Sequence, residues 1–209
     1  NGLPLIGHSI KLASELPLDE KTIVSSDCHQ ILAKAVSLGA EVIHRPEYLS
    51  TDTASELLAW KHAVTHAQDR FGHFDCFLSL PATSPLRNRS DVEKCISAFK
   101  PDVDLVMTMT KANRNPWFNM VKLKADRYLT LVNSSDDSPL IFRRQDAPEC
   151  FDLTTVAYVT RPDYVLNSKS LWSGNVIGVE IPPERSIDID TRLDFDIACY
   201  LMGDSRNIK

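Results

Sequence analysis

Several motifs that mark common enzyme classes are absent from the sequence. It contains no Gly-x-Ser-x-Gly nucleophile elbow, no Cys-x-x-Cys pair and no phosphate-binding P-loop. A triad-type hydrolase therefore has no support. Of the histidines, only His62 and His66 are spaced for one face of a helix, and the glutamate of a zinc-protease helix is missing. We expect both to be exposed.

Charge and cysteine content indicate the cellular setting. The formal net charge of −5 disfavours a nucleic-acid surface, but it leaves room for a local basic pocket that binds a nucleotide. The five cysteines are odd in number and far apart, which is typical of free thiols in a reducing compartment. No apolar run approaches the roughly 18 residues of a membrane-spanning helix. We expect a cytoplasmic protein without membrane or nucleic-acid partners.

The first half of the chain alternates short apolar runs with amphipathic segments. The expected strands cover residues 22–25, 41–43, 76–80 and 104–110, and the expected helices cover residues 28–38, 54–70 and 90–99. Two capping boxes, Thr53-Ala54-Ser55-Glu56 and Ser90-Asp91-Val92-Glu93, start the last two helices. This order predicts a single α/β domain over residues 1–209, with a doubly wound, Rossmann-like sheet that is mixed but mostly parallel.

The second half departs from this alternation. Residues 113–152 contain two short strands, 120–124 and 128–132, between polar loops, and we interpret them as an excursion that serves as a dimerisation arm. Strands over 154–160 and 176–181 then return to the sheet. A final helix over 192–202 follows.

The most informative stretch is the pair of acids just before that final helix. Asp188 and Asp190 alternate with two isoleucines, so in an extended strand both carboxylates would lie on one face. Two interpretations stay open, a solvated edge strand and a divalent-cation site. Mg²⁺ binds a few carboxylate oxygens and completes its shell with water and substrate phosphates, so the second interpretation points to nucleotide chemistry.

Two further segments have polar side chains with an open role. Arg143 and Arg144 form the densest basic spot. They either bind an anionic substrate or pair with Asp146 or Asp137 at the surface. The hydroxyls of Thr83 and Ser84 follow the most apolar strand and either cap the next helix or line a pocket.

Together these segments resemble the acylneuraminate cytidylyltransferases, the CMP-sialic acid synthetases and their relatives that act on other nonulosonic acids. The matching segments, in chain order, are Arg45-Pro46-Glu47-Tyr48-Leu49, Asp52-Thr53-Ala54-Ser55, Thr83-Ser84-Pro85-Leu86-Arg87, Arg144-Gln145 and Ser186-Ile187-Asp188-Ile189-Asp190-Thr191 with Asp194. The resemblance implies a homodimer of the nucleotide-sugar transferase fold. It also implies that CTP and a nine-carbon keto sugar acid give a CMP-sugar and pyrophosphate with the help of Mg²⁺.

The resemblance also implies roles for individual residues. Asp188 and Asp190 match the family's magnesium aspartates, and Asp190 is expected nearest to the sugar hydroxyl that attacks the α-phosphorus. The cytidine side is matched by Arg45, Thr53, Ala54 and Ser55. The sugar side is matched by Arg144, Tyr158, Trp172, Thr83 and Ser84.

Departures from the family pattern lie on both sides of the expected site. The family's phosphate-binding loop of glycine, lysine and arginine precedes the segment that matches Asn1 onward. Pro81-Ala82, Asp152 and Thr154-Thr155 replace residues usual around N-acetylneuraminate, so a legionaminic, pseudaminic or deaminated acid is an expected acceptor. Two alternatives stay open: another sugar nucleotidyltransferase such as a CMP-Kdo synthetase, and a non-catalytic nucleotide-sugar binding protein if the chain begins at Asn1.

Overall fold

The computed structural model describes residues 2–18, 21–125, 127–133 and 141–204. The helices are α1 (Leu5–Ser14), α2 (His29–Ser37), α3 (Glu56–Phe71), α4 (Arg89–Ala98), α5 (Pro162–Asn167) and α6 (Arg192–Asp204). The strands are β1 (Ile23–Ser26), β2 (Glu41–His44), β3 (Phe77–Ser79), β4 (Leu105–Lys111), β5 (Val121–Leu123), β6 (Leu129–Leu131), β7 (Phe151–Thr160) and β8 (Val176–Glu180). Short 3₁₀ turns cover Glu47–Leu49, Arg144–Asp146 and Pro183–Arg185.

The main sheet has the strand order β3-β7-β4-β8. β7 runs antiparallel to both of its neighbours, whereas β4 and β8 are parallel. β1 and β2 form a separate parallel pair. β3, β4 and β8 thus run in the same direction, and β7 runs opposite to them. The α/β class and the mixed, mostly parallel sheet are therefore confirmed.

Helices cover both faces of the main sheet, as a doubly wound fold requires. Successive residues of β4 point to opposite faces, so Val106 packs with Val92 of α4 in one core cluster. Leu105 packs with Val64 of α3 and Val165 of α5 in the other. Each of these fully buried aliphatic side chains contributes about 1.5–3 kcal/mol to folding.

A large bulge interrupts β7 beside the centre of the sheet. Met107 of β4 opposes Tyr158, but the next residue, Thr108, opposes Thr154, so residues 155–157 have no opposite residue on β4. The Thr108 hydroxyl contacts this bulge through Thr154 Oγ1 at 2.8 Å and the backbone N–H of Ala157 at 3.3 Å. Bulges of this kind often lie next to active sites, where they redirect side chains.

The predicted excursion forms a hairpin of β5 and β6. Val121 opposes Leu131 and Leu123 opposes Leu129, so the period of two puts all four apolar side chains on one face. Leu123 and Leu129 are 67% and 65% exposed. In the part of the chain that the structure describes, no helix is both long and apolar enough to span a bilayer.

Both capping-box predictions were wrong. Helix α4 is capped by Asn88, whose side chain accepts the N–H of Asp91 while Asp91 accepts the N–H of Asn88. Helix α3 begins at Glu56, and Ser55 at its N-cap position makes no side-chain capping bond. For α4, Asn88 and Ser90 are both residues that favour the N-cap position, so the sequence did not separate two starts that lie close together.

Candidate active site

The acidic segment at residues 186–190 is not a strand, so that prediction was wrong. β8 ends at Glu180, and Pro182 and Pro183 follow. Proline lacks the N–H that a central strand needs to continue its ladder. Within the segment, the N–H of Ile189 donates to the carbonyl of Thr83 at 2.9 Å. This bond brings it to the carboxyl end of β3.

The two aspartates of the segment have different surroundings. Asp188 Oδ1 is buried and has no hydrogen-bond partner among the described residues, whereas the side chain of Asp190 is exposed. An unpaired buried carboxylate oxygen is costly unless a cation neutralises it. This orphaned hard oxygen therefore fits Mg²⁺.

The protein alone offers few ligands to such a cation. Within the described ranges, no group of three or more histidine, cysteine, aspartate or glutamate side chains is arranged to hold a metal ion. A cation at Asp188 would take most of its ligands from water or from a bound phosphate, which is the usual coordination of Mg²⁺.

A second carboxylate belongs to the same electrostatic neighbourhood. Poor hydration raises the pKa of Glu56, the negative charge of Asp188 raises it further, and a hydrogen bond from the Trp60 indole opposes the shift. Burial also raises the pKa of Tyr158, with smaller contributions from Glu56 and Asp188. Glu56, at the start of α3, and Asp188, in the acidic segment, thus contribute to one negatively charged region.

Arg87 supplies positive charge near the carboxylate of Asp188. Its buried guanidinium donates to Ser9 Oγ at 2.9 Å and to the carbonyls of Pro81 and Thr155. It makes no ion pair within the described residues. Burial lowers the pKa of Arg87 to about 10, opposed by the charge of Asp188, so the side chain stays protonated at neutral pH. It ties α1, the loop after β3 and the β7 bulge together.

A cavity of about 580 Å³ opens beside this loop. Its walls are the edges of β1 and β3, the start of α3, and the loop from Leu80 to Thr83. Arg45 stands in its wall and donates to Ser25, through Nε to Oγ at 3.3 Å and through Nη2 to the carbonyl at 2.5 Å. The volume is in the usual range for a small-molecule site.

The structure brings part of the predicted nucleotide side to this cavity. Arg45, Ala54, Ser55 and Thr83 line it. Thr53 is exposed and does not line it. Ser84 is buried and bonds Thr155 Oγ1 of the bulge at 2.6 Å, so its hydroxyl supports the loop instead of facing the cavity.

The predicted sugar side is dispersed. Arg143 pairs with Asp146 at 2.7 Å, which confirms the surface-pair interpretation for this residue, and Asp137 lies outside the described residues. Arg144 donates to the carbonyl of Asn113 at 2.8 Å. It lines a second cavity of about 260 Å³, together with Lys111 and Arg114.

The two predicted aromatic contacts lie outside both cavities. Tyr158 is 5% exposed and packs edge-on against Trp60, with 5.1 Å between the ring centroids. Trp172 is exposed. Sequence reasoning missed Glu56 and Trp60 as cavity residues, although their spacing of four residues places both on one helix face. Contrary to expectation, His62 is half-buried, whereas His66 is exposed.

Comparison with known proteins identifies the family. Residues 1–164 match the family model described as Cytidylyltransferase. The chain belongs to the cytidylyltransferase family. The expected family and the expected enzyme class, a nucleotidyltransferase, are therefore confirmed.

Relatives of this cytidylyltransferase have informative names. It is 30% identical to the CMP-N,N'-diacetyllegionaminic acid synthase of Campylobacter jejuni, over 97% of this chain and 86% of that protein. It is 27% identical to the N-acylneuraminate cytidylyltransferase of Escherichia coli, over 93% of this chain and 45% of that protein. A solved CMP:2-keto-3-deoxy-manno-octonic acid synthetase in complex with CTP has the same fold, with a TM-score of 0.67 and 15% identity over 97% of this chain and 88% of that one.

Proposed function

We propose that this cytidylyltransferase joins CTP to a nonulosonic acid and releases pyrophosphate. The observation that carries the proposal is the meeting of the cavity with the acidic segment at Thr83. Thr83 lines the cavity, and its carbonyl accepts the N–H of Ile189, the neighbour of Asp188. A nucleotide in the cavity would lie next to the two acids, and the names of the relatives supply the substrate class.

Mg²⁺ is the proposed metal, and Asp188 and Asp190 would hold it. The buried Oδ1 of Asp188 supports this assignment because it lacks a partner among the described residues. When bound, the ion would neutralise charge on the triphosphate.

The nucleotide side is proposed to include Arg45, Thr53, Ala54 and Ser55. We propose that a further strand with a phosphate-binding loop completes the single domain. Its place would be between β1 and β3, because these strands border the cavity and, in the described residues, neither pairs on that side.

The acceptor side requires a second copy of the chain in this proposal. The apolar face of the β5–β6 hairpin supports a homodimer, since large exposed apolar surfaces usually mark interfaces. Arg144 has no carboxylate partner among the described residues and is the proposed contact for the sugar carboxylate. Tyr158, Trp172, Thr83 and Ser84 remain proposed sugar-side residues, with Ser84 and Tyr158 acting from buried positions.

A legionaminic-type acid is the proposed acceptor. The legionaminate relative is 30% identical to this chain over 97% of its length, compared with 27% over 93% for the neuraminate relative. Asp152, Thr154 and Thr155 also replace residues that are usual around N-acetylneuraminate in the family pattern. We also propose a cytoplasmic location, which the five free cysteines support.

Pyrophosphate release tests the function. The full-length protein would be incubated with CTP, Mg²⁺ and, in turn, N,N'-diacetyllegionaminic acid, N-acetylneuraminic acid and Kdo. We expect the highest kcat/KM with the legionaminic acid. Release with Kdo alone would replace the proposal by a CMP-Kdo synthetase, and release with none of the three would argue for a binding protein.

A further inference from the structure

A partly buried ion pair links Arg185, the residue just before the acidic segment, to helix α4. Asp91, at the first turn of α4, is 0% exposed. Its carboxylate accepts Arg185 Nε at 2.8 Å on Oδ2 and Arg185 Nη2 at 3.0 Å on Oδ1. Oδ2 also accepts the N–H of Asn88 at 3.1 Å. Arg185 therefore grips, with two parallel bonds, a carboxylate that the helix cap already holds in one orientation.

Arg185 lies three residues before Asp188, at the end of the 3₁₀ turn Pro183–Arg185. On the other side of Asp188, the N–H of Ile189 donates to Thr83. Beyond it, the Thr191 hydroxyl and N–H both donate to Asp194, at 2.6 and 2.7 Å. The segment has no sheet ladder in the described structure, so these anchors set where the Asp188 carboxylate lies.

Both anchors flanking Asp188 are attached to one stretch of chain. Thr83 lies in the loop after β3, and Asp91 lies in the first turn of α4. Arg87, between them in sequence, binds the β7 bulge through the carbonyl of Thr155. A shift of Arg185 would move Asp188 relative to the cavity wall at Thr83. Such a shift changes the distance between the acid and anything bound in the cavity.

We propose that Arg185 and Asp91 are positioning residues for cytidylyl transfer, which hold Asp188 against the cavity without touching substrate. The inference rests on the proposed function for its reaction but not for its geometry. Buried ion pairs are weak stabilisers on their own, and their best-attested role is to specify one arrangement. A helix pair on the same element provides a contrast: Arg89 binds Glu93 at 2.7 Å, exposed and four residues away, and connects α4 only to itself.

Arg185→Lys is the test, with Arg89→Lys as the matched control. Lysine keeps the charge but cannot make the two parallel bonds. The first readout is amide hydrogen exchange at Ile189, which needs neither metal nor substrate. We expect faster exchange at Ile189 in Arg185→Lys, unchanged exchange in β4, and wild-type exchange throughout Arg89→Lys.

The second readout is the division of the effect between kcat and KM. We expect Arg185→Lys to lower kcat by about 10–100-fold, the range for residues that orient metal ligands, with the KM for CTP little changed. The neutral pair Asp91→Asn with Arg185→Gln leaves no unpaired buried charge and serves as a second variant if Arg185→Lys fails to fold. We expect the same low kcat from it.

Two outcomes would overturn the inference: wild-type exchange at Ile189 in the folded variants, or faster exchange there with wild-type kcat. The failure of the proposed function is distinguishable from both. In that case the wild-type protein releases no pyrophosphate with any acceptor, and exchange at Ile189 alone decides whether the pair positions the segment.

Discussion

Replacement of Thr108 by valine would test how the β7 bulge is held. The Thr108 side chain is fully buried. Its hydroxyl donates to the carbonyl of Thr154 at 3.0 Å and accepts from Thr154 Oγ1 at 2.8 Å and from the N–H of Ala157 at 3.3 Å. Valine keeps the shape of threonine but removes all of these bonds.

The expected cost follows from the groups left without a partner. A buried donor that loses its acceptor costs about 1–3 kcal/mol. Thr108→Val leaves the N–H of Ala157 without its acceptor. It also removes the acceptor of the Thr154 hydroxyl, which can rotate in part toward another acceptor. We therefore expect a loss of about 2–4 kcal/mol in the free energy of unfolding, or roughly 5–15 °C in Tm for a chain of this size.

The assay is urea unfolding at neutral pH, with Thr110→Val as the control. Thr110 lies on the same strand, and its buried hydroxyl has no partner among the described residues. The same substitution there should be neutral or stabilising, because it removes an unsatisfied polar atom. Equal effects of the two substitutions, or a loss below about 0.5 kcal/mol at Thr108, would refute the account of the bulge.

Three further substitutions test the site. Glu56→Gln should stabilise the fold at pH values above the raised pKa of Glu56, because the variant carries no charge that must form beside Asp188. The expected gain is at most about a few tenths of a kcal/mol, since the group is partly solvated. The gain should vanish below the ordinary pKa of 4.5, and a gain that persists at pH 3 would contradict it. Arg144→Gln should raise the KM for the sugar acid with little change in the KM for CTP. The control is Arg143→Gln, at an arginine that already pairs with Asp146, and it should leave both KM values unchanged. Equal effects of the two substitutions would remove Arg144 from the acceptor site. Asp190→Asn should abolish turnover while the circular dichroism spectrum stays native, and retained turnover would exclude Asp190 from the mechanism.

Much of the fold follows from local sequence patterns. The apolar runs around Val24, Leu78 and Val106 are short and bounded by turn residues, and each forms a strand. The intervening amphipathic segments form helices on both faces of the main sheet. These features were predictable because they depend on neighbours within a few residues.

The rest depends on contacts between distant residues. Arg185 and Asp91 are 94 positions apart, and no local pattern shows that they pair. The alternation of Asp188 and Asp190 suggested a strand, but the segment that carries them follows two prolines and finds its partner in Thr83. The bulge of β7 is set by Thr108, which lies 46 residues from Thr154, so the strand was predicted without its irregularity.

The choice of nucleotide tests the central claim most directly. The full-length protein would receive an equimolar mixture of CTP, UTP, ATP and GTP with N,N'-diacetyllegionaminic acid and Mg²⁺, and the products would be identified by mass spectrometry. We predict a CMP-linked nonulosonic acid as the dominant nucleotide sugar, formed in proportion to pyrophosphate. Products with all four nucleotides in similar amounts, or pyrophosphate without any CMP-sugar, would contradict the assignment of this chain as a CMP-nonulosonic acid synthase.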